Sequence, residues 1–243
     1  MLTNKIDFLL LVTVNNANPN GDPLNGNRPR ENYDGHGVIS DVAIKRKIRN
    51  RLQDMGESIF VQSNDRSDDG YKSLAARAKA YEALEKASKE KDEETYRKLA
   101  CERWFDVRAF GQVFAFRGNT LSVGIRGPVT VHQAVSVSPI DIVSMQITKS
   151  VNSEDVKAGS RASDTMGMKH MVKFGMYVIK GSINHQLAQL TGFSDEDALK
   201  IKEALRTLFV NDASSARPDG SMEVKKLYWW THNSQIGQYS AAK

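Results

Sequence analysis

A chain of 243 residues, 40% hydrophobic and 26% charged, is long enough to bury a core and too apolar to be disordered throughout. Lys and Arg number 34 against 29 Asp and Glu, a net charge of +5, which favours a polyanionic partner without requiring one. The single cysteine, Cys101, excludes an internal disulfide and a thiolate zinc site and points to a reducing compartment.

The opening MLTNKIDFLLLVTV carries an apolar run much shorter than the roughly 20 residues that span a bilayer, with no small-residue cleavage site after it. The expectation is a cytoplasmic protein with no membrane contact. Residues 6–14 read as a buried strand. The following NNANPNGDPLNGNRPRENYDGHG is a long turn-rich loop, and a loop of that length in a compact domain is functional or disordered.

Ser40 then reads as an N-cap with Asp41 in the first turn. Ile44, Ile48 and Leu52 recur at i, i+4 and i+8, one apolar helical stripe that Gly56 ends. Residues 57–62 (ESIFVQ) read as a short strand. Residues 72–104 are helical in composition, and the charged KASKEKDEETYRK suggests a solvated helical hairpin inserted in the domain.

Residues 121–137 read as strand or hairpin, with 144–148 continuing extended. Residues 149–171 lose the apolar period and read as an exposed excursion. Residues 173–184 return to strand, and Ser194 opens a second amphipathic helix with Asp195, Glu196 and Asp197 in its first turn. MEVKKLYWW closes as a strand. The fold class expected is α+β, compatible with a split β-α-β, ferredoxin-like plan carrying large insertions.

The strongest local signal is SDVAIKRKIRNRL. Lys45 and Arg49 fall together beside the apolar stripe, with Arg46 and Lys47 farther round. Like charges one turn apart repel, so phosphate contact is a natural reason for the cluster; a solvated face is the plain alternative. The glycine-rich loop before it could offer backbone N–H groups to a phosphate, but no GxxxxGK[ST] is present. Arg108 and Phe110 are a candidate Arg-plus-aromatic platform, although the neighbouring aromatics look like core. In the excursion Arg161, Lys169, His170 and Lys173 flank Met166 and Met168. There the cations suit phosphates and a methionine could wedge between unstacked bases. No HExxH, GxSxG or HxE…PCxxC motif occurs, so no catalytic residue, metal or cofactor is assigned. Asp22, Asp34 and Asp41 could hold a divalent ion, but turn and cap roles explain them more simply.

Seven segments taken together resemble one family: NNANPNGDPLNGNRPR, GHGVISDVAIKRKIRN, WFDVRAFGQVF, IRGPVTVHQAVSVSP, SDTMGMKHMVKFGMYV, TGFSDEDALKIKEAL and SSARPDGSMEVKKLYWW. The family is the repeated backbone subunit of type I CRISPR Cascade complexes, in its I-C form. The resemblance implies a hand-like subunit on a modified RNA-recognition core, with copies stacked in a helical filament along one CRISPR guide RNA. It implies a palm gripping the guide backbone, a thumb displacing a nucleotide at intervals, and bases left to pair with a target DNA strand.

It divides the chain into a first palm half (1–70), an inserted helical segment (71–104), palm and web strands (105–144), a thumb (145–172) and a second palm half (173–243). The partners it implies are guide RNA, target DNA, other copies and other Cascade subunits. The RNA-binding residues it suggests are Lys45, Arg46 and Arg49 on the helix, Arg28 and Arg30 in the loop, Arg108, and Arg161, Met166, Lys169 and His170 in the thumb. Members usually run past the last strand, whereas this chain stops soon after His232. Two other readings stay open: a metal-dependent ribonuclease using Asp22 or Asp34, as in related type III subunits, and a generic single-strand RNA-binding module.

Overall fold

The structure is a computed structural model and describes residues 1–116, 121–148 and 166–241. Its centre is β1 (Ile6–Ala17), the apolar run of the sequence. Ile6, Phe8, Leu10, Val12 and Val14 are buried on one face, as the period of two requires. β1 pairs antiparallel with β10 (Met166–Ile183) on one side and β11 (Met222–Thr231) on the other. β8 (Ala134–Pro139) and β4 (His36–Ile39) extend the sheet, giving the order β11-β1-β10-β8-β4. β7 (Val129–Val131) and β9 (Ile142–Thr148) also pair antiparallel with β10. The fold is mixed α and β on an antiparallel sheet.

Two helices cover the buried face. α1 (Asp41–Asp54) is capped by Ser40, whose side chain accepts from the Ala43 amide; caps of this type contribute about 1 kcal/mol. Its stripe of Ile44, Ile48 and Leu52 is at most 1% exposed. α7 (Asp195–Arg206) opens on a capping box between Ser194 and Asp197 and buries Ala198, Ile201 and Leu205 in the same core. A short α6 (His185–Thr191), absent from the sequence reading, lies between β10 and α7.

The inserted segment differs from the expected solvated hairpin. It forms three helices, α2 (Leu74–Lys79), α3 (Glu82–Glu90) and α4 (Glu93–Arg103). Their charged side is wet, with i,i+4 pairs such as Arg97–Glu93 and Lys89–Glu85. Their inner side supplies Leu84, Ala87, Tyr96 and Ala100 to a second core around Phe60, Trp104 and Phe114. The charge run hid this stripe because its apolar members are few and spread over separate short helices.

Two further expectations change. Residues 57–62 are not a strand: Phe60 and Val61 direct their amides to the Asp106 carboxylate (2.7 and 3.1 Å) instead of a neighbouring strand. Residues 105–110 are not strand either but a short helix, α5 (Phe105–Phe110), whose Phe105, Val107 and Ala109 are all buried. It leads into a separate two-stranded sheet of β5 (Gly111–Phe114) and β6 (Val123–Arg126). Packing on two cores overrides the β preference of its aromatic and β-branched residues.

The excursion is also more regular than its composition suggests. From Met166 onward it belongs to β10, paired with β9 from Met166↔Thr148 to Val172↔Ile142. Residues 149–165, including Arg161, lie outside the described residues.

Candidate nucleic-acid interface

The turn-rich loop folds against the root of the β9–β10 hairpin. One residue before the end of β1, Asn16 takes the left-handed region at φ 49°. β2 (Gly21–Asp22) and β3 (Arg28–Pro29) form a small hairpin around a 3₁₀ turn. Asp22 caps that turn by accepting from the Leu24 amide (3.1 Å) and pairs with Arg30 (3.4 Å). Gly26 and Asn27 both take positive φ, which asparagine and glycine tolerate best.

Asn18 is the loop's keystone. Its amide side chain donates to the Asn27 carbonyl (2.7 Å), and its backbone N–H donates to Ala216 (2.8 Å). Asn20 accepts from the Ser40 amide (2.9 Å) and so ties the loop to the start of α1. Arg28 reaches the hairpin: Nη1 donates to Ser144 Oγ (3.1 Å) and lies 3.5 Å from His170 Nδ1. Ser144 and His170 also bond to each other at 2.8 Å.

A groove of about 350 Å³ results. The loop contributes Asn18, Gly26 and Asn27; the hairpin contributes Ile147, Met168, Lys169 and His170; the turn before β11 contributes Ser215 and Ala216. Among the described residues, Arg28 and Lys169 make no carboxylate ion pair, unlike Arg30, Arg49 and Arg108. The groove thus combines the Lys169 cation, with Arg28 beside it on Ser144 and His170, two side-chain amides and one apolar wall, the chemistry that holds a sugar-phosphate strand with a base beside it.

The cationic helix behaves differently from the sequence reading. Arg49 Nε donates to the fully buried Asp106 (2.8 Å), and its guanidinium sits 4.9 Å over the Phe110 ring. Arg46 donates to the Val61 carbonyl (2.6 Å); burial, then the nearby Arg49 charge, lowers its pKa. Lys47, expected farther round from the stripe, is buried and ion-paired with Asp212, which also pairs with Arg217. Burial lowers the Lys47 pKa, opposed by that carboxylate. Lys45 makes only an i,i+4 pair with Asp41 (3.1 Å). Each of these four cations therefore has a protein partner, and Lys45 alone is held only by a neighbour one turn away on its own helix.

Arg108 is likewise internal. It forms a two-pronged bond to Asp197 (3.0 and 2.9 Å), donates to the Cys101 carbonyl (3.1 Å) and covers the Phe105 ring at 4.8 Å. Phe110 lies under Arg49, so the expected Arg108–Phe110 platform is not formed. Of the expected site residues, the structure gathers Arg28, Lys169 and His170 around the groove and sets Arg30 against Asp22. Met166 is exposed on the hairpin. Sequence reasoning missed Asn18, Asn27, Ser144 and Ser215. The signal for Asn18, Asn27 and Ser215 was present in the Asn-rich and SSARPDG segments, which nothing in one dimension joins; Ser144 carried none.

Cys101 is buried in the second core, and burial pushes its thiol up to about 11. A thiol kept neutral is a poor nucleophile. From pH 9 to 11 the unfolded chain releases this proton while the folded chain retains it, so stability falls with rising pH. A Cys101→Ala variant should lose on the order of 2 kcal/mol of that alkaline decline. Urea titrations of both proteins across this range check it; parallel curves would contradict the assignment.

Among the described residues no group of three or more His, Cys, Asp or Glu could hold a metal ion, and no helix is long and apolar enough to cross a membrane.

The family model for CRISPR-associated protein Cas7 matches residues 4–243. The chain belongs to the Cas7 family. A curated relative, the CRISPR-associated protein Cas7 of Haloferax volcanii, is 41% identical over 63 residues, which are 26% of this chain and only 18% of that relative. A solved chain from a CRISPR RNA-guided surveillance complex, pre-nicking, aligns with a TM-score of 0.51 at 19% identity. That alignment covers 85% of this Cas7-family chain and 69% of the solved one, and it establishes a shared fold.

Proposed function

We propose that this Cas7-family chain is a non-catalytic guide-RNA-binding backbone subunit of a type I-C Cascade complex. Copies polymerise along the guide and, with other Cascade subunits, present it for pairing with target DNA. The observation that carries the reading is the groove lined by Asn18, Asn27, Met168, Lys169 and His170, with Arg28 held beside it on Ser144 and His170; neither Arg28 nor Lys169 has a carboxylate partner among the described residues. The phosphate strand lies along the two cations, which leaves bases free to pair.

The Cas7 family, and a structural relative that belongs to a CRISPR RNA-guided surveillance complex, support guide RNA and partner subunits. The strand order β11-β1-β10-β8 with α1 and α7 on one face supports a modified RNA-recognition palm. In this reading the β9–β10 hairpin is the thumb, α2–α4 the inserted segment, and Met166 or Met168 the wedge. Lys45 is the helix cation best placed to assist, one turn from the Ser40–Asn20 link. The ribonuclease reading has less support: Asp22 is engaged as a turn cap and Arg30 partner, and Asp34 accepts from the His36 amide (3.3 Å).

The test is co-expression with a CRISPR array and partner subunits, then sequencing of the RNA that co-purifies. Guides of uniform length with shared repeat ends are expected. Heterogeneous cellular RNA would overturn the reading, as would regularly spaced cleavage of a complementary RNA by the pure complex with Mg²⁺.

A further inference from the structure

The sheet has a second face, turned away from α1 and α7. The register places Leu9, Leu11 and Thr13 of β1 on it, with Lys180, Val178 and Met176 of β10 and Tyr228, Lys226 and Glu223 of β11 opposite them. Asp7 lies there too, between Ser182 and Trp230. Large apolar side chains stay open to solvent on this face: Phe174 is 56% exposed, Trp230 49% and Tyr228 37%. Rings of that size are normally covered, so their exposure calls for an occupant.

The rings are arranged. Tyr228 and Trp230 lie two residues apart on the edge strand, about 7 Å along it. Their planes are 8° from parallel with centroids 5.8 Å apart. Lys226 sits 5.0 Å over the Tyr228 ring, and Lys180 is exposed on the neighbouring central strand. The acids of this face are already neutralised: Asp7 pairs with Lys5 and His232, and Glu223 pairs with Lys225. Among the described residues Lys180 and Lys226 make no ion pair. An aliphatic protein surface docked here would desolvate those two ammonium groups without compensation. A polyanion whose flat bases meet the rings compensates both.

We propose that this face is a second nucleic-acid contact, on which bases of a single strand stack against Tyr228 and Trp230 while Lys180 and Lys226 meet its phosphates. It is separate from the groove residues and rests on the reading of the chain as a nucleic-acid-binding subunit. Stacking on rings tolerates any base, so the contact suits a strand of arbitrary sequence.

The experiment titrates the purified chain with a fluorescein-labelled oligouridine of about 15 nucleotides, within the range of single-strand site sizes. Three variants run beside the parent: Tyr228→Ala/Trp230→Ala, Tyr228→Phe/Trp230→Phe, and the groove variant Arg28→Ala/Lys169→Ala. Photo-crosslinking with a thiouridine-containing oligomer maps the contact. The alanine pair should bind at least tenfold more weakly, as loss of two stacking contacts requires. The phenylalanine pair should bind within about threefold of the parent, and crosslinks should fall on β10 and β11. Unchanged affinity in the alanine pair, or no crosslink on either strand, overturns the proposal. If only the groove variant weakens binding, the groove reading stands and this one fails; if only the ring variant does, the reverse holds. Protection of β11 from hydrogen exchange in RNA-free protein assemblies, undiminished by the oligomer, would make the face a protein contact and also overturn it.

Discussion

Replacing Asp106 by alanine should lower the folding stability by about 3–5 kcal/mol, the range for breaking one side of a buried ion pair. The carboxylate is fully buried and accepts from the Phe60 and Val61 amides and from Arg49 Nε. It therefore joins three segments that share no regular secondary structure: the 57–62 stretch, α1 and α5. Removing it strands a guanidinium and two backbone donors at once, and each unsatisfied buried donor alone costs about 1–3 kcal/mol. Asp106→Asn keeps the shape and one acceptor, so roughly half the loss is expected from it. Urea denaturation at constant m-value is the measurement. A loss under about 1 kcal/mol for the alanine variant would mean that water or a rearranged loop replaces the carboxylate.

The second large effect belongs to the groove. Arg28→Ala with Lys169→Ala should weaken guide-RNA binding by at least about tenfold at moderate salt and reduce the salt slope of log K by about 1.4, two phosphates at the single-strand value. Arg28 and Lys169 are half-buried and neither has a carboxylate partner among the described residues, so thermal stability should stay within a few degrees of the parent. Arg108→Ala should show the opposite pattern, with stability lost through the Asp197 pair and the salt slope unchanged. A steep slope retained by the Arg28/Lys169 variant would move the phosphate path elsewhere, with Lys45 the next residue to test.

The contrast between those variants shows where the sequence was legible. β1 and α1 could be read because their evidence is local: an apolar run of strand length, a capping serine and a stripe at helical spacing. The charge cluster on α1 was equally plain, but its meaning was not. Arg49, Lys47 and Arg108 look alike in one dimension; what separates them from Arg28 and Lys169 is a carboxylate 57, 165 or 89 residues away. No periodicity reports such pairings. The same distance rule explains residues 57–62, whose strand-like composition serves a side-chain acceptor far along the chain. The groove was half legible, since the loop and the hairpin were each singled out, while the Arg28–Ser144 bond that joins them spans 116 residues.

β10 carries a consequence for mechanics. It runs 18 residues without a break, about 60 Å at 3.3 Å per residue, and belongs first to the hairpin and then to the middle of the sheet. The β9 ladder hands over to the β1 ladder at Val172 within this one strand, so the projecting arm and the middle of the sheet share a continuous backbone. An arm built this way acts as a fixed-length spacer: in a stack of copies it would impose one repeat distance on whatever polymer threads them.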